Sequence, residues 1–113
     1  MAEFFNYKII TVGTEKVRDV IDAITEIRFF HVYNRDGLAI EKLYVAHIKY
    51  DETDKPVSYL MFEQKGKKKS ILLPYIIKAL GEEQIKHMEN IIKEEFDKQH
   101  NSETSEAKKY ISL

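Results

Sequence analysis

The chain has 113 residues, 43% of them apolar, which is enough for one domain that buries roughly two-thirds of its unfolded surface. Its 18 basic and 19 acidic residues leave a net charge of −1, which excludes a histone-like polycation and an acidic nucleic-acid mimic. With no cysteine, disulfides, thiolate metal sites and a cysteine nucleophile are excluded as well.

The first residues, Met1 to Tyr7, lack the basic-then-apolar pattern of a signal peptide. No run approaches the ~18 apolar residues of a membrane span. The expectation is a soluble cytoplasmic protein with no membrane partner.

Phe4 to Val12 mixes β-branched and aromatic residues and reads as a first strand, ended by Gly13. Thr14 then fits a helix N-cap, and Val17, Val20, Ile21, Ile24 and Ile27 follow at helical spacing. A second strand is expected over Arg28 to Tyr33, closed by the turn Asn34-Arg35-Asp36-Gly37. Leu43 to Tyr50 reads as the third strand, with Tyr44, Ala46, Ile48 and Tyr50 on one face.

Val57 to Gln64 reads as the fourth strand and Lys68 to Leu72 as a short fifth, joined by a turn at Lys65-Gly66-Lys67. Pro74 suits a first helical position, and Gly81 breaks or caps the turn that follows. Glu82 to Lys98 carries a helical stripe of Ile85, Met88, Ile91, Ile92 and Phe96, behind an acidic first turn. Gln99 to Lys109 is polar and reads as a tail that ends in a small apolar cluster at Tyr110, Ile111 and Leu113.

The expected fold is therefore α+β, with one domain over 1–98 and a polar tail over 99–113. Its sheet is mostly antiparallel and five-stranded, in the order β-α-β-β-β-β-α(α), with helices on one face.

No catalytic set emerges. The four histidines, His31, His47, His87 and His100, show no metal-ligand spacing, although His31 and His47 could meet across adjacent strands. No nucleophile elbow surrounds any serine, and Asp51, Glu52 and Asp54 read as a solvated turn without the spacing of a calcium loop. Gly13-Thr14-Glu15-Lys16 has the place of a phosphate loop but lacks its second glycine and its lysine–serine pair, so ordinary helix capping is the expectation. No cofactor and no metal are implied, and the chain is expected not to be an enzyme.

The unusual local feature is Lys65, Lys67, Lys68 and Lys69, four lysines within five residues of an otherwise balanced chain. Lysines around a hairpin can contact phosphates, and exposed rings such as Tyr44 and Tyr59 can stack bases for ~1–3 kcal/mol each. The same lysines would also serve as a solvated turn that protects a sheet edge, and the rings as core. The order of elements over 43–96, with Lys65-Gly66-Lys67 at its turn, resembles that of Whirly-type and positive-cofactor-type single-stranded-DNA binders. That resemblance implies a strand-binding sheet, and no site residue is carried over from it.

Two readings stand side by side. One is a non-enzymatic binder of single-stranded nucleic acid through Lys65, Lys67, Lys68, Lys69, Tyr44 and Tyr59. The other is a protein-interaction module, such as a small inhibitor, immunity or adaptor protein, that uses an exposed sheet face. A small enzyme whose site forms only on folding is a third. Tyr44, Tyr50, Tyr59 and Phe62 exceed what one small core holds, which leads to the expectation of a homodimer.

Overall fold

In a computed structural model, the structure describes the backbone of residues 2–112 and the side chains of residues 2–99. Three long strands come first: β1 (Glu3–Val17), β2 (Val20–Arg35) and β3 (Leu38–His47). Three helices follow: α1 (Tyr59–Gln64), α2 (Lys69–Leu80) and α3 (Glu82–Ser112). The sheet is antiparallel with the order β1-β2-β3. The α+β class and the antiparallel sense hold, whereas five strands and the order β-α-β-β-β-β-α(α) are corrected to three strands and then three helices.

The expected helix after Gly13 is two strands and a hairpin, and β-bulges explain the false periodicity. Ile9 pairs with Phe29 and Thr11 with Arg28, so Ile10 is an extra residue on β1. Gly13 pairs with Glu26 and Thr14 with Ile24, so Thr25 is an extra residue on β2. A bulge shifts the two-residue alternation by one position. Ile9 and Val12, and likewise Ile24 and Ile27, therefore reach the same core from positions three apart. Spacings of three are the mark of a helix turn, and here they record bulges.

Two-residue turns close both hairpins. Arg18, in the first, has φ 53°, and its guanidinium donates to the backbone carbonyls of Asp51 and Asp54 in the loop after β3. Asp36 and Gly37, in the second, have φ 51° and 81°, the mirror-image turn that suits the twist of paired strands. The turn expected at Asn34 to Gly37 is thus where the chain reverses.

Register and alternation define two faces. Phe5, Tyr7, Ile9 and Val12 on β1, Ile27, Phe29, His31 and Tyr33 on β2, and Ile40, Lys42, Tyr44 and Ala46 on β3 face the helices. Phe4, Lys8, Phe30, Val32, Glu41, Leu43 and Val45 lie on the other face.

The segment expected as a fourth strand is α1, for a local reason. Ser58 accepts the Met61 N–H at its N-terminus, and the Asp22 carboxylate accepts the Leu60 N–H at 2.9 Å and the Ser58 hydroxyl at 3.1 Å. A carboxylate on a strand thus caps a helix 38 residues later in sequence. The Leu60 N–H, more than any other contact, holds the Asp22 carboxyl below its ordinary range. Asp22→Ala is expected to lower the melting temperature by about 4–8 °C, as one lost cap should in a chain this small. Asp22→Asn should retain most of the loss; differential scanning fluorimetry checks both.

The expected fifth strand is the first turn of α2. Pro74 sits inside that helix rather than at its first position, and Gly81 ends it at φ 82°. Met88 of α3 joins Phe29, Ile27, Phe62, Leu72 and Ile76 in the main core. Ile92 and Phe96 form a second cluster with Tyr33, flanked by Phe5 and Ile40. The surplus of aromatics is absorbed there: Phe62 is buried, and Tyr44, Tyr50 and Tyr59 pack against the main core.

Ion pairs fix the same helix to the sheet: Arg35 to Asp97 at 2.7 Å, Lys42 to Glu95 at 2.6 Å and Lys93 to Glu3 at 3.5 Å. The helical backbone of α3 continues over the stretch read as a tail. The side chains of that stretch, Tyr110, Ile111 and Leu113 included, lie outside the described residues. Among the described residues no helix is long and apolar enough to cross a membrane.

Candidate functional site

The lysines singled out in the sequence do not sit on a β-hairpin. Lys65 caps the C-terminus of α1, Gly66 and Lys67 turn the chain at φ 80° and 52°, and Lys68 caps the start of α2. Lys65, Lys67, Lys68 and Lys69 are all exposed, and among the described residues none lies within ion-pair distance of a carboxylate. Two have polar or aromatic contacts: the Lys67 ammonium lies 5.9 Å from the Tyr59 ring centre, and Lys69 donates to Asn6 Oδ1 at 2.5 Å.

Those contacts carry the lysine turn to the free edge of β1. The Asn6 carboxamide oxygen also accepts the Tyr7 N–H at 2.9 Å, which satisfies a backbone group that no fourth strand pairs. Beside this edge runs a groove of about 920 Å³, bounded by Lys8, Ile10 and Thr11 on the strand and by Tyr59, Lys67 and Lys69 on the helical side. Glu41 is the only carboxylate that lines it, and the Lys8 ammonium stands 4.0 Å from that group. The groove wall is therefore net basic.

Tyr44 and Tyr59 are not brought together on an exposed sheet face. Tyr44 points to the helices, stacks at 6.1 Å on Phe29 and has a buried hydroxyl without a hydrogen-bond partner. Burial pushes that phenol up from its ordinary pKa. Tyr59 opens α1, half-buried against Phe62. A base-stacking row along the strands does not exist on the helix side of the sheet.

Among the described residues nothing packs over the opposite sheet face. Phe4, Ile10, Leu43 and Val45 are exposed there, around a half-buried Phe30. Val32 is only 8% exposed although among the described residues no helix packs over it, because Lys8 and Glu41 reach across it from the two edge strands. Sequence reasoning placed Leu43 and Val45 on one face but missed Lys8, Glu41 and Phe30 as its companions. The signal was present as a row of alternating positions on each strand, obscured by the bulge at Ile10.

His31 is fully buried, and both ring nitrogens lack a hydrogen-bond partner. It lies parallel to the Phe5 ring at 5.3 Å, with Tyr7 at 5.3 Å and Tyr44 at 6.3 Å. Burial pulls its pKa below the ordinary histidine value. His47 pairs with Glu26 at the far end of the sheet and on its other face, so the two histidines do not meet.

Asp51 and Asp54 are engaged structurally, at 3.6 and 3.4 Å from the Lys78 ammonium. Among the described residues no group of three histidine, aspartate or glutamate side chains could hold a metal ion. Gly13 to Lys16 lies within β1, so neither the helix cap nor a phosphate loop forms there. The geometry supports binding of an extended anion in the groove, or of an apolar surface on the open face.

Comparison with known proteins gives no match to a family model, to a curated protein or to a solved structure. The resemblance to Whirly-type and positive-cofactor-type binders does not extend to the fold, because it required strands where α1 and α2 stand.

Proposed function

We propose that this chain is a non-enzymatic binding protein that holds single-stranded nucleic acid by its phosphates, along the β1 groove and the α1–α2 lysine turn. The observation that carries this reading is the meeting of Lys67 and Lys69, neither within ion-pair distance of a carboxylate among the described residues, at one groove where Lys8 offsets the Glu41 carboxylate. Lys65 and Lys68, exposed in the same turn, add to the positive charge. Phosphate contact needs only reachable ammonium groups, and exposed lysines without acidic partners supply them. A groove that runs along the β1 edge between the sheet and the α1–α2 turn suits a single extended chain. Base stacking is confined to Tyr59, since Tyr44 faces the helices.

The test is fluorescence anisotropy with labelled single-stranded DNA and RNA over a series of salt concentrations. Affinity should fall linearly on logarithmic axes, with a slope of about 0.7 for each phosphate neutralised. Replacing Lys65, Lys67, Lys68 and Lys69 with Ser should weaken binding at least tenfold and flatten the slope, with the melting temperature unchanged. Tyr59→Ala should weaken binding with the slope retained, because stacking releases no counterions. A parent that does not bind at low salt overturns the reading, as does a four-serine variant that binds as tightly as the parent. The lysines would then be guards of the free β1 edge.

The second reading, a protein-interaction module, is favoured by a different observation: the apolar, uncovered sheet face. Its occupant is argued next.

A further inference from the structure

We infer that the uncovered face of the sheet binds a second copy of this chain, in a two-fold pair whose axis runs parallel to the strands. The face is apolar in the middle and oppositely charged at its two edges. Phe30 and Val32 of β2 form the centre, and Leu43 and Val45 continue it on β3. Lys8 stands on β1 and Glu41 on β3, two residues apart in register.

A two-fold axis along the strands lays β1 of each copy over β3 of the other. Lys8 of one copy then faces the β3 strand of its partner, where the second Glu41 lies about 7 Å along the chain from the point directly opposite. A lysine side chain spans that offset, and symmetry makes the contact twice. The pair seen within one chain, 4.0 Å long and exposed at both ends, is loose enough to be exchanged for these contacts. An axis perpendicular to the strands would set β1 against β1 and leave each lysine without a new partner.

Arg28 meets its own copy on the strand-parallel axis. Its guanidinium lies 3.9 Å from Glu26 of its own chain, which offsets part of the like-charge contact. Sheets that pack face to face sit about 10 Å apart at about −30°, which also separates the ends of the patch, where Arg28 lies.

The area sets the strength. Three strands about 4.8 Å apart and eight residues long cover roughly 400 Å², or about 800 Å² for the two copies. That falls in the range of weak, transient assemblies, so the pair is expected to form at micromolar concentrations or above. Lys8, Val32 and Glu41 belong to both this face and the groove, whereas Lys65, Lys67, Lys68 and Lys69 lie beyond the β1 edge, so the four-serine variant separates a failure of nucleic-acid binding from a failure of pairing.

Sedimentation equilibrium of the full chain over a concentration series is the test. The parent should form a dimer. Lys8→Glu and Glu41→Lys should each weaken it at least tenfold, because the first puts two acids on the face and the second two amines. An equal mixture of the two variants should recover the dimer, since each then offers what the other lacks. Recovery on mixing cannot come from a pair within one chain. Leu43→Lys should abolish association, with circular dichroism unchanged because the side chain is exposed. The four-serine variant of the lysine turn should associate like the parent. A parent that remains monomeric to about 1 mM overturns the inference, and so does a mixture no more associated than its components.

Discussion

Ile92→Ala is expected to lower the free energy of unfolding by about 2–4 kcal/mol, measured by urea denaturation at neutral pH with the m-value unchanged. Ile92 is fully buried and shares the smaller core cluster with Tyr33 and Phe96, whose rings meet edge to face at 5.3 Å. Its neighbours cannot close the gap easily. Tyr33 is held by hydrogen bonds to Glu3 and from Arg35, and Arg35 is tied in turn to Asp97. The Arg35 guanidinium also lies 4.6 Å from the centre of the Phe96 ring, so the aromatic pair is fixed at both ends. A cavity left between fixed walls costs more than one that collapses. Ile85→Ala and Ile91→Ala, at half-buried positions of the same helix, should cost less. A loss below about 0.5 kcal/mol for Ile92→Ala would mean that α3 meets the sheet through another stripe.

That stripe is the part of the fold most legible in the sequence. Met88, Ile92 and Phe96 recur every fourth residue on an uninterrupted helix, and nothing along the segment competes with the pattern. The Asp36-Gly37 turn and the Gly81 break were legible for a related reason, since each needs a backbone conformation that few residues accept.

The segment from Thr14 to Ile27 was misread because the extra residue at Thr25 and the register shift between Glu15 and Val17 reset a period of two, and the residue spacing then imitates a period near three and a half. Val57 to Gln64 was misread because its decisive contact is not local. The chain is rich in strand formers there, but Asp22 on β2 supplies the cap that starts a helix. Tertiary context outweighs propensity in a six-residue helix, which has little propensity to offer of its own.

The candidate site was legible in half. Four lysines in five residues are visible without a structure. The β1 edge they approach depends on Asn6 and Lys8, some 60 residues earlier in the chain. Tyr44 was assigned to binding because alternation tells which residues share a face but not which face the helices cover. Once Tyr44, Ala46 and Ile48 lie beneath them, Leu43 and Val45 are necessarily the outward pair.

Between pH 7 and pH 5 the chain should lose stability, by up to about 1.4 kcal/mol per pH unit below about 6.5, and His31→Phe should remove that loss. His31 is buried among Phe5, Tyr7 and Tyr44 with neither nitrogen bonded, so only its neutral form fits. The charged groups nearest in the fold do not offset this. Lys42, its register partner on β3, carries a positive charge and turns to Glu95 on α3.

Burial lowers the folded-state pKa below the unfolded one, so the unfolded chain takes up a proton that the folded chain refuses. The contribution is complete above the unfolded pKa, is lost as pH falls from there to the folded pKa, and changes no further below it. The carboxyls that the fold pulls down, Glu3, Asp22 and Asp54, start from ordinary values of 4.5, 3.8 and 3.8, so their own losses come at lower pH. The interval from pH 6.5 to 5 therefore reports on the burial of His31.

A phenylalanine keeps the stacking on Phe5 and leaves no nitrogen unbonded, so stability at pH 7 should be equal or higher. Tyr44→Phe removes a second unpartnered buried polar group but no titrating group near neutral pH, and should leave the acid limb in place. Urea denaturation of the parent and both variants at pH 5, 6 and 7 separates the two effects. A parent with the same stability at pH 5 as at pH 7 would show that His31 finds a proton acceptor when charged.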